Sequence, residues 1–126
     1  MRREDLLTKR VLVVEDNEAV ARVARDMLEE LGQIVTLAEN GEAVLSLLEE
    51  GPAKFDLVFS DVIMPGISGL ELAQRIAKRC PGLEIVLTSG YSHVLAEEGH
   101  HGFNLLKKPY SVDGLLSVLR ATRDPT

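Results

Sequence analysis

The 126-residue sequence predicts an α/β domain built on a parallel sheet with helices on both of its faces. Short apolar segments typical of buried strands alternate with amphipathic segments of helical spacing. Such alternation is characteristic of parallel strands joined by right-handed helical crossovers. There are no internal repeats or low-complexity segments, so we expect a single domain over residues 1–126, with its core at about 9–121.

Each predicted strand is a short apolar run. None is longer than a few residues, so we expect no insertion into a membrane. The predicted strands are Arg10–Val14, Ile34–Leu37, Leu57–Phe59, Glu84–Leu87 and Phe103–Lys107.

The first two helices are predicted after the first two strands. Apolar residues at positions i, i+4 and i+7 define the first helix, and Gly32 ends it. Asn40 is the expected N-cap of the second helix, which Gly51-Pro52 ends. Their predicted core residues are Val20, Ala24, Met27, Leu28, Leu31, Ala43, Val44, Leu47 and Leu48.

Three more helices complete the pattern. Ser68, with Glu71 three residues later, has the spacing of a capping box, and Cys80-Pro81-Gly82 ends the helix that it begins. A fourth helix is expected at about Tyr91–Glu98 and the last at about Ser111–Ala121. Core residues are predicted at Leu72, Ala73, Ile76, Ala77, Val112, Leu115, Leu116 and Leu119.

Polar side chains follow four of the apolar segments. Glu15 and Asp16 come after the first strand, and Asp61 follows the third. Thr88 follows the fourth strand, and Lys108 follows the last. Ligands of open α/β sheets bind outside the carboxyl ends of the strands, so we predict one site that contains all five side chains.

These segments resemble the receiver domain of bacterial two-component response regulators, over nearly the whole chain. The resemblance implies a flavodoxin-like (βα)5 three-layer sandwich with a five-stranded sheet of order 2-1-3-4-5. It also implies that Asp61 accepts a phosphoryl group, which Thr88 and Lys108 contact. The metal ligands that it implies are Glu15, Asp16, Asp61 and the backbone carbonyl of Ile63.

Mg²⁺ (or Mn²⁺) is the expected cofactor because oxygen ligands suit it and because a divalent cation offsets the repulsion between a carboxylate and a phosphoryl group. The donor is expected to be a phosphohistidine on a histidine kinase or a histidine phosphotransfer domain. The chemical activity of this chain itself would be limited to self-phosphorylation from a donor and self-dephosphorylation. The resemblance implies partner contacts at Asn17, Val20, Ala21, Pro109 and Tyr110.

Charge and cysteine content bear on the partners and the location that are expected for this protein. A net charge of −6 argues against binding to nucleic acid, and the basic residues near the start, which include Lys9 and Arg10, are interpreted as a solvated leader. The single cysteine, Cys80, excludes an internal disulfide, is expected to be partly buried, and favours a cytoplasmic protein. A weak homodimer through the last two helices is a further expectation.

The run Leu87–Ser92 looks more like receivers attached to hybrid histidine kinases than like transcriptional regulators. Only five residues follow Ala121 in this sequence, and we expect a stand-alone receiver without an effector domain or a receiver from a larger kinase. Leu105 occupies the position of the family's switch aromatic residue. The resemblance also implies that the side chains at positions 63 and 90 influence the hydrolytic water. Neither Ile63 nor Gly90 can orient a water molecule, so slow to intermediate self-dephosphorylation is expected.

Other interpretations remain open for these residues. Glu15-Asp16 could cap the first helix, Asp61 could be a turn residue, Thr88 could begin a helix, and Lys108 could be solvated. A Mg²⁺-dependent phosphatase of the haloacid-dehalogenase type also forms an aspartyl phosphate, but Ile63 stands where its second Asp is usual. A flavodoxin-like binding module would need a phosphate loop after the first strand, where the sequence has acidic residues.

Overall fold

The computed structural model describes residues 7–51, 54–89, 104–107 and 111–121. The predicted helix at about 91–98 lies outside these residues. The strands are β1 (Arg10–Val14), β2 (Ile34–Ala38), β3 (Leu57–Asp61), β4 (Glu84–Ser89) and β5 (Asn104–Lys107). The described helices are α1 (Glu18–Glu30), α2 (Gly41–Glu50), α3 (Gly69–Arg79) and α4 (Val112–Ala121).

The strands form one parallel sheet in the order β2-β1-β3-β4-β5. The predicted parallel α/β architecture is therefore confirmed, and the strands follow the order that the resemblance implied. β4 continues two residues beyond its predicted end, because Thr88 pairs with Asp61 and Leu106, and Ser89 pairs with Lys107, in the parallel sheet. Thr88 thus lies within a strand and not at a helix start.

Apolar residues pack against both faces of the sheet, because the side chains of each strand alternate between the two faces. Leu12 and Val14 of β1 pack on the side of α2 and α3, whereas Val11 and Val13 pack on the side of α1 and α4. Cys80 is half-buried against the first of these clusters, as expected for a small apolar residue. The result is three layers, with the sheet in the middle.

The residues that were predicted to begin or end the helices adopt the expected capping conformations or hydrogen bonds. The Asn40 side chain accepts a hydrogen bond from the backbone N–H of Ala43 at 2.8 Å. Gly32 follows α1 with a φ of 86°, the left-handed conformation that glycine adopts readily. Ser68 accepts a hydrogen bond from the Glu71 N–H at 3.1 Å, but the Glu71 carboxylate pairs with Arg75, so only half of the capping box forms.

The core prediction for α3 contains one error. Leu72, Ala73 and Ile76 are fully buried, as predicted, but Ala77 is exposed. Ala77 lies at the edge of the apolar stripe that the other three residues form, and its small side chain does not reach the sheet. In α4, Val118 joins the predicted core residues.

The basic residues just before and within β1 are not a solvated leader, which corrects that interpretation. Lys9 is only 3% exposed, and its Nζ donates a hydrogen bond to the backbone oxygen of Leu119 at 2.8 Å. A helix C-terminus presents unpaired carbonyls that favour a cation, which compensates for burial of the ammonium group. Lys9 therefore joins the start of β1 to the end of α4.

Arg10 forms a second link at the same edge of the sheet. Its Nε and Nη2 donate hydrogen bonds to Asp56 Oδ2 and Oδ1 at 3.0 and 2.9 Å, and its backbone N–H donates to Oδ2 at 2.8 Å. These bonds lower the pKa of the Asp56 carboxyl group below its ordinary value of 3.8. We call this end of the sheet, where Lys9, Arg10 and Asp56 lie, the amino edge.

None of the helices in the described part of the chain combines the length and the hydropathy that a membrane span requires.

Candidate functional site

Three acidic side chains meet at the opposite end of the sheet, which we call the carboxyl edge. One carboxylate oxygen from each of Glu15, Asp16 and Asp61 lies within 4.8 Å of the other two. Glu15 is buried, Asp61 is half-buried and Asp16 is exposed. The structure therefore brings together the three carboxylates that the sequence predicted to share a site, and leaves one of them open to solvent.

The pairing of β1 with β3 explains this juxtaposition. Val14 lies opposite Ser60 in the parallel register, so Glu15 and Asp61 come next at adjacent strand ends. The Glu15 backbone N–H donates to the Ala38 oxygen at 3.0 Å, which holds Glu15 against the end of β2. Its position at the edge is thus defined by the sheet itself.

The alternative interpretation of Glu15-Asp16 as a helix cap is correct only in part. The N-cap of α1 is Asn17, whose side chain accepts a hydrogen bond from the Val20 N–H at 3.1 Å. Glu15 Oε2 accepts a hydrogen bond from the Asn17 N–H at 3.1 Å and so supports that cap.

Asp61 is held through its backbone. Ser60 Oγ donates to the Asp61 backbone oxygen at 3.1 Å. The next residue, Val62, is held through both of its backbone polar groups, since its N–H donates to the Thr88 oxygen at 2.9 Å and its oxygen accepts from the Gly69 N–H at 2.8 Å. Asp61 is therefore the last residue of β3 and pairs with Thr88 of β4, which corrects its alternative interpretation as a turn residue.

Thr88 lies opposite Asp61 in the register of β3 and β4, and it is 1% exposed. The hydroxyl residue that the sequence singled out is thus a direct neighbour of the acidic residue in the sheet. Ile63 lies two residues beyond Asp61 and is 50% exposed. Its backbone carbonyl as a metal ligand stays a prediction. Lys108 lies outside the described residues.

A cleft beside the three carboxylates extends the acidic character of the edge, and the sequence interpretation missed it. The cleft has a volume of about 450 Å³, with Glu18 and Glu39 among its polar lining and Leu37, Ala43 and Leu47 among its apolar lining. The sequence signal that could have identified Glu39 is its position directly after β2, equivalent to that of Glu15 after β1.

The donor set at the carboxyl edge fits a hard divalent cation. Three carboxylates whose oxygens lie within 4.8 Å of one another repel each other unless a cation lies between them. Carboxylate oxygens are the ligands of Mg²⁺ and Mn²⁺, and an exposed ligand such as Asp16 leaves room for the waters that Mg²⁺ retains.

Comparison with known proteins agrees with this geometry. Residues 11–120 match the family described as "Response regulator receiver domain". The chain is 31% identical over 114 residues to the response regulator receiver protein CpdR of Brucella abortus, covering 88% of this chain and 93% of that protein. It is 34% identical over 115 residues to the aerobic respiration control sensor protein ArcB of Escherichia coli, covering 87% of this chain but only 14% of that protein.

Solved structures show the same fold. The response regulator protein TrrA of Thermotoga maritima, in complex with Mg²⁺ and BeF, superposes with a TM-score of 0.81 at 34% identity, over 90% of this chain and 97% of that chain. The receiver domain of the hybrid histidine kinase CckA superposes with a TM-score of 0.74 at 34% identity, over 89% of this chain and 96% of that chain.

Proposed function

The chain belongs to the response regulator receiver family, and we propose that in two-component signalling its Asp61 accepts a phosphoryl group. The observation that carries this proposal is the convergence of Glu15, Asp16 and Asp61, with carboxylate oxygens within 4.8 Å of one another. Asp61 is the one of the three that ends a central strand and lies opposite a hydroxyl residue, Thr88. It is therefore the acceptor that we assign.

Glu15, Asp16 and Asp61 would hold Mg²⁺ (or Mn²⁺), together with the backbone carbonyl of Ile63. When bound, such an ion offsets the negative charge that keeps a phosphoryl donor away from a carboxylate. The Thermotoga maritima relative was solved with Mg²⁺ and BeF, and its identity of 34% with this chain supports the same ion here.

The transfer itself would be a substitution at phosphorus. An Asp61 carboxylate oxygen forms the new O–P bond while the N–P bond of the donor phosphohistidine breaks, and the electron pair of that bond returns to the imidazole nitrogen. Thr88 would donate a hydrogen bond to a phosphoryl oxygen, and Lys108 would neutralise the charge on another. The contribution of the chain is mostly positioning and charge stabilisation, which dominate phosphoryl transfer.

The partner would be a histidine kinase or a histidine phosphotransfer domain that contacts α1, since this helix begins at the carboxyl edge. The structure changes the contact surface predicted for this chain at one position. Ala21 is only 4% exposed and cannot meet a partner, whereas Val23 is 53% exposed. We therefore assign the contact to Asn17, Val20 and Val23. The other predicted contacts, Pro109 and Tyr110, lie outside the described residues and stay predictions.

The remaining features of the proposal follow from the family. We expect a single receiver domain with its core at about 9–121, a cytoplasmic location, and no reaction beyond self-phosphorylation from a donor and self-dephosphorylation. A weak homodimer through the last two helices stays a prediction. The relatives include a single-domain receiver and hybrid kinases. They support either a stand-alone protein or a part of a kinase for this chain.

Incubation of the protein with acetyl phosphate and Mg²⁺, followed by intact-mass measurement, tests the proposal. A stable gain of one phosphoryl group, lost when EDTA replaces Mg²⁺, is the expected result. Catalytic release of phosphate without a lasting mass gain would instead indicate a phosphatase of the haloacid-dehalogenase type. Absence of any reaction would favour a flavodoxin-like binding module and contradict the proposal.

A further inference from the structure

Gly69, the first residue of α3, approaches the backbone of Asp61 more closely than any side chain would allow. A Cβ atom added to Gly69 would lie 1.9 Å from the Asp61 backbone oxygen, 2.7 Å from its carbonyl carbon and 2.8 Å from Val62 Cα. Contacts of a real Cβ atom under 3.0 Å are essentially never found, so the Asp61 oxygen would have to move by more than 1 Å. All three atoms belong to the backbone and cannot rotate away.

We propose that Gly69 is a positioning residue for phosphorylation: its missing side chain allows α3 to hold the Asp61 backbone where the carboxylate meets Glu15 and Asp16. The inference rests on the proposed function of Asp61. The requirement is one of space and not of backbone conformation, because a left-handed φ is found at Gly32 and Gly66 but not at Gly69.

Neither side of this contact can yield easily. On the strand side, Val62 is held between the Thr88 oxygen and the Gly69 N–H, at 2.9 and 2.8 Å, and Ser60 Oγ donates to the Asp61 oxygen. On the helix side, α3 is anchored by fully buried side chains, which are those of Leu72, Ala73 and Ile76. A side chain at position 69 would therefore displace the residue that bears the acceptor carboxylate.

The consequence for the site follows from its dimensions. The three carboxylates converge within 4.8 Å, so a displacement of more than 1 Å at Asp61 alters the set of oxygens available to a cation. A misplacement of about 1 Å can cost roughly 100-fold in rate. Loss of support for a metal ligand typically costs about 10-fold to 100-fold in metal affinity.

The test compares Gly69→Ala with two control variants. Gly82→Ala adds the same methyl group where nothing lies within 4 Å. Ile76→Val, on the same helix, removes a buried methylene group and lowers stability without adding an atom. For each variant, Mg²⁺ affinity is measured by NMR titration without a phosphoryl donor, and the rate of phosphorylation by acetyl phosphate is measured at saturating Mg²⁺, at a temperature where all variants are folded.

We expect Gly69→Ala to weaken Mg²⁺ binding by roughly 10-fold or more and to slow phosphorylation by roughly 100-fold, while both controls stay within about twofold of the parent. Equal losses in Ile76→Val, or a Gly69→Ala protein with parental affinity and rate, would overturn the inference. If the parent itself is not phosphorylated, the proposed function fails, whereas the Mg²⁺ titration still reports on Gly69.

Ser60→Ala provides a second test if Gly69→Ala does not fold. It removes the hydroxyl donor to the Asp61 backbone oxygen while adding no atom. We expect Mg²⁺ affinity and phosphorylation rate to fall severalfold. Parental values for both would show that the position of this carbonyl does not control the site, and the inference would then be wrong.

Discussion

Two aspartates at opposite ends of β3 show how differently one residue type is used in this molecule. Asp56, just before the strand, is bound by two guanidinium nitrogens and the backbone N–H of Arg10. Asp61, the last residue of the strand, lies instead with two further carboxylates. The amino edge joins opposite charges and so favours folding, whereas the carboxyl edge brings three like charges within 4.8 Å of one another, an arrangement that a bound cation would stabilise.

The largest expected effect comes from removing one of these like charges. Asp16→Ala deletes the exposed carboxylate of the carboxyl edge, and we expect phosphorylation in Mg²⁺ to fall by at least roughly 100-fold, because charge compensation by a metal is worth several kcal/mol. Stability in metal-free buffer should rise, because repulsion within the cluster is relieved. Rates of label incorporation and thermal unfolding without metal check both parts.

Asp26→Ala is the matched control, since it removes an exposed aspartate from α1 that pairs with Arg25 and does not belong to the cluster. It should leave phosphorylation unchanged. Phosphorylation of Asp16→Ala at the parental rate, or equal labelling of the parent in EDTA, would contradict the metal site at the carboxyl edge.

A smaller effect is expected from substitution of Ile63, which tests whether this residue of the carboxyl edge prolongs the lifetime of the phosphorylated protein. Ile63 is 50% exposed two residues beyond Asp61, and its side chain cannot hydrogen-bond the water that hydrolyses an aspartyl phosphate. Ile63→Asn should therefore shorten the lifetime of the phosphorylated protein severalfold. The decay of intact phosphoprotein after removal of the donor measures it.

Val23→Asn also replaces a β-branched apolar residue of similar exposure by asparagine, but on α1, and should leave the lifetime unchanged. A parent that loses its phosphoryl group within seconds, or an Ile63→Asn protein with the parental lifetime, would show that the water is positioned by other groups.

The smallest effect is expected at the amino edge. Asp56→Asn should lower the free energy of unfolding at neutral pH by about 1 kcal/mol, because Arg10 is partly exposed and solvent screens the pair. The pKa of Asp56 is lowered in the folded protein. The Arg10–Asp56 pair therefore contributes its full stabilisation above the ordinary pKa of 3.8, and this stabilisation is lost as the pH falls from there through the lower pKa of the folded state.

The difference in stability between parent and Asp56→Asn should accordingly shrink on acidification, as urea denaturation at neutral and acidic pH would measure. Asp26→Asn, which alters a more exposed pair, should have a smaller effect at neutral pH. A difference for Asp56→Asn that grows as the pH falls would mean that Arg10 does not stabilise the carboxylate form.

The carboxyl edge was predictable from the sequence because its residues directly follow apolar strands. Parallel strands must end at one edge, so the position of Glu15, Asp16 and Asp61 in the sequence predicted their convergence in space. The register that sets Thr88 opposite Asp61 needed the structure, since strand ends are less certain than strand existence.

The amino edge was not predictable in the same way. The sequence pattern places Lys9 in a solvated leader, because acidic residues interrupt the basic residues near the start, whereas its acceptor, Leu119, lies 110 positions away in the sequence. The Arg10–Asp56 pair and the approach of Gly69 to Asp61 likewise depend on distances between elements that no local pattern contains. Local periodicity therefore predicted the elements, whereas long-range contacts decided how the charged side chains are used.

The most direct measurement is the incorporation of phosphoryl groups from acetyl phosphate in Mg²⁺ by the parent, Asp61→Asn and Asp56→Asn. Both substitutions remove one charge from an end of the same strand, so they differ only in the edge that they alter. We predict one phosphoryl group on the parent and on Asp56→Asn, and none on a folded Asp61→Asn protein. Undiminished labelling of Asp61→Asn, or loss of labelling in a folded Asp56→Asn protein, would contradict the assignment of Asp61 as the acceptor.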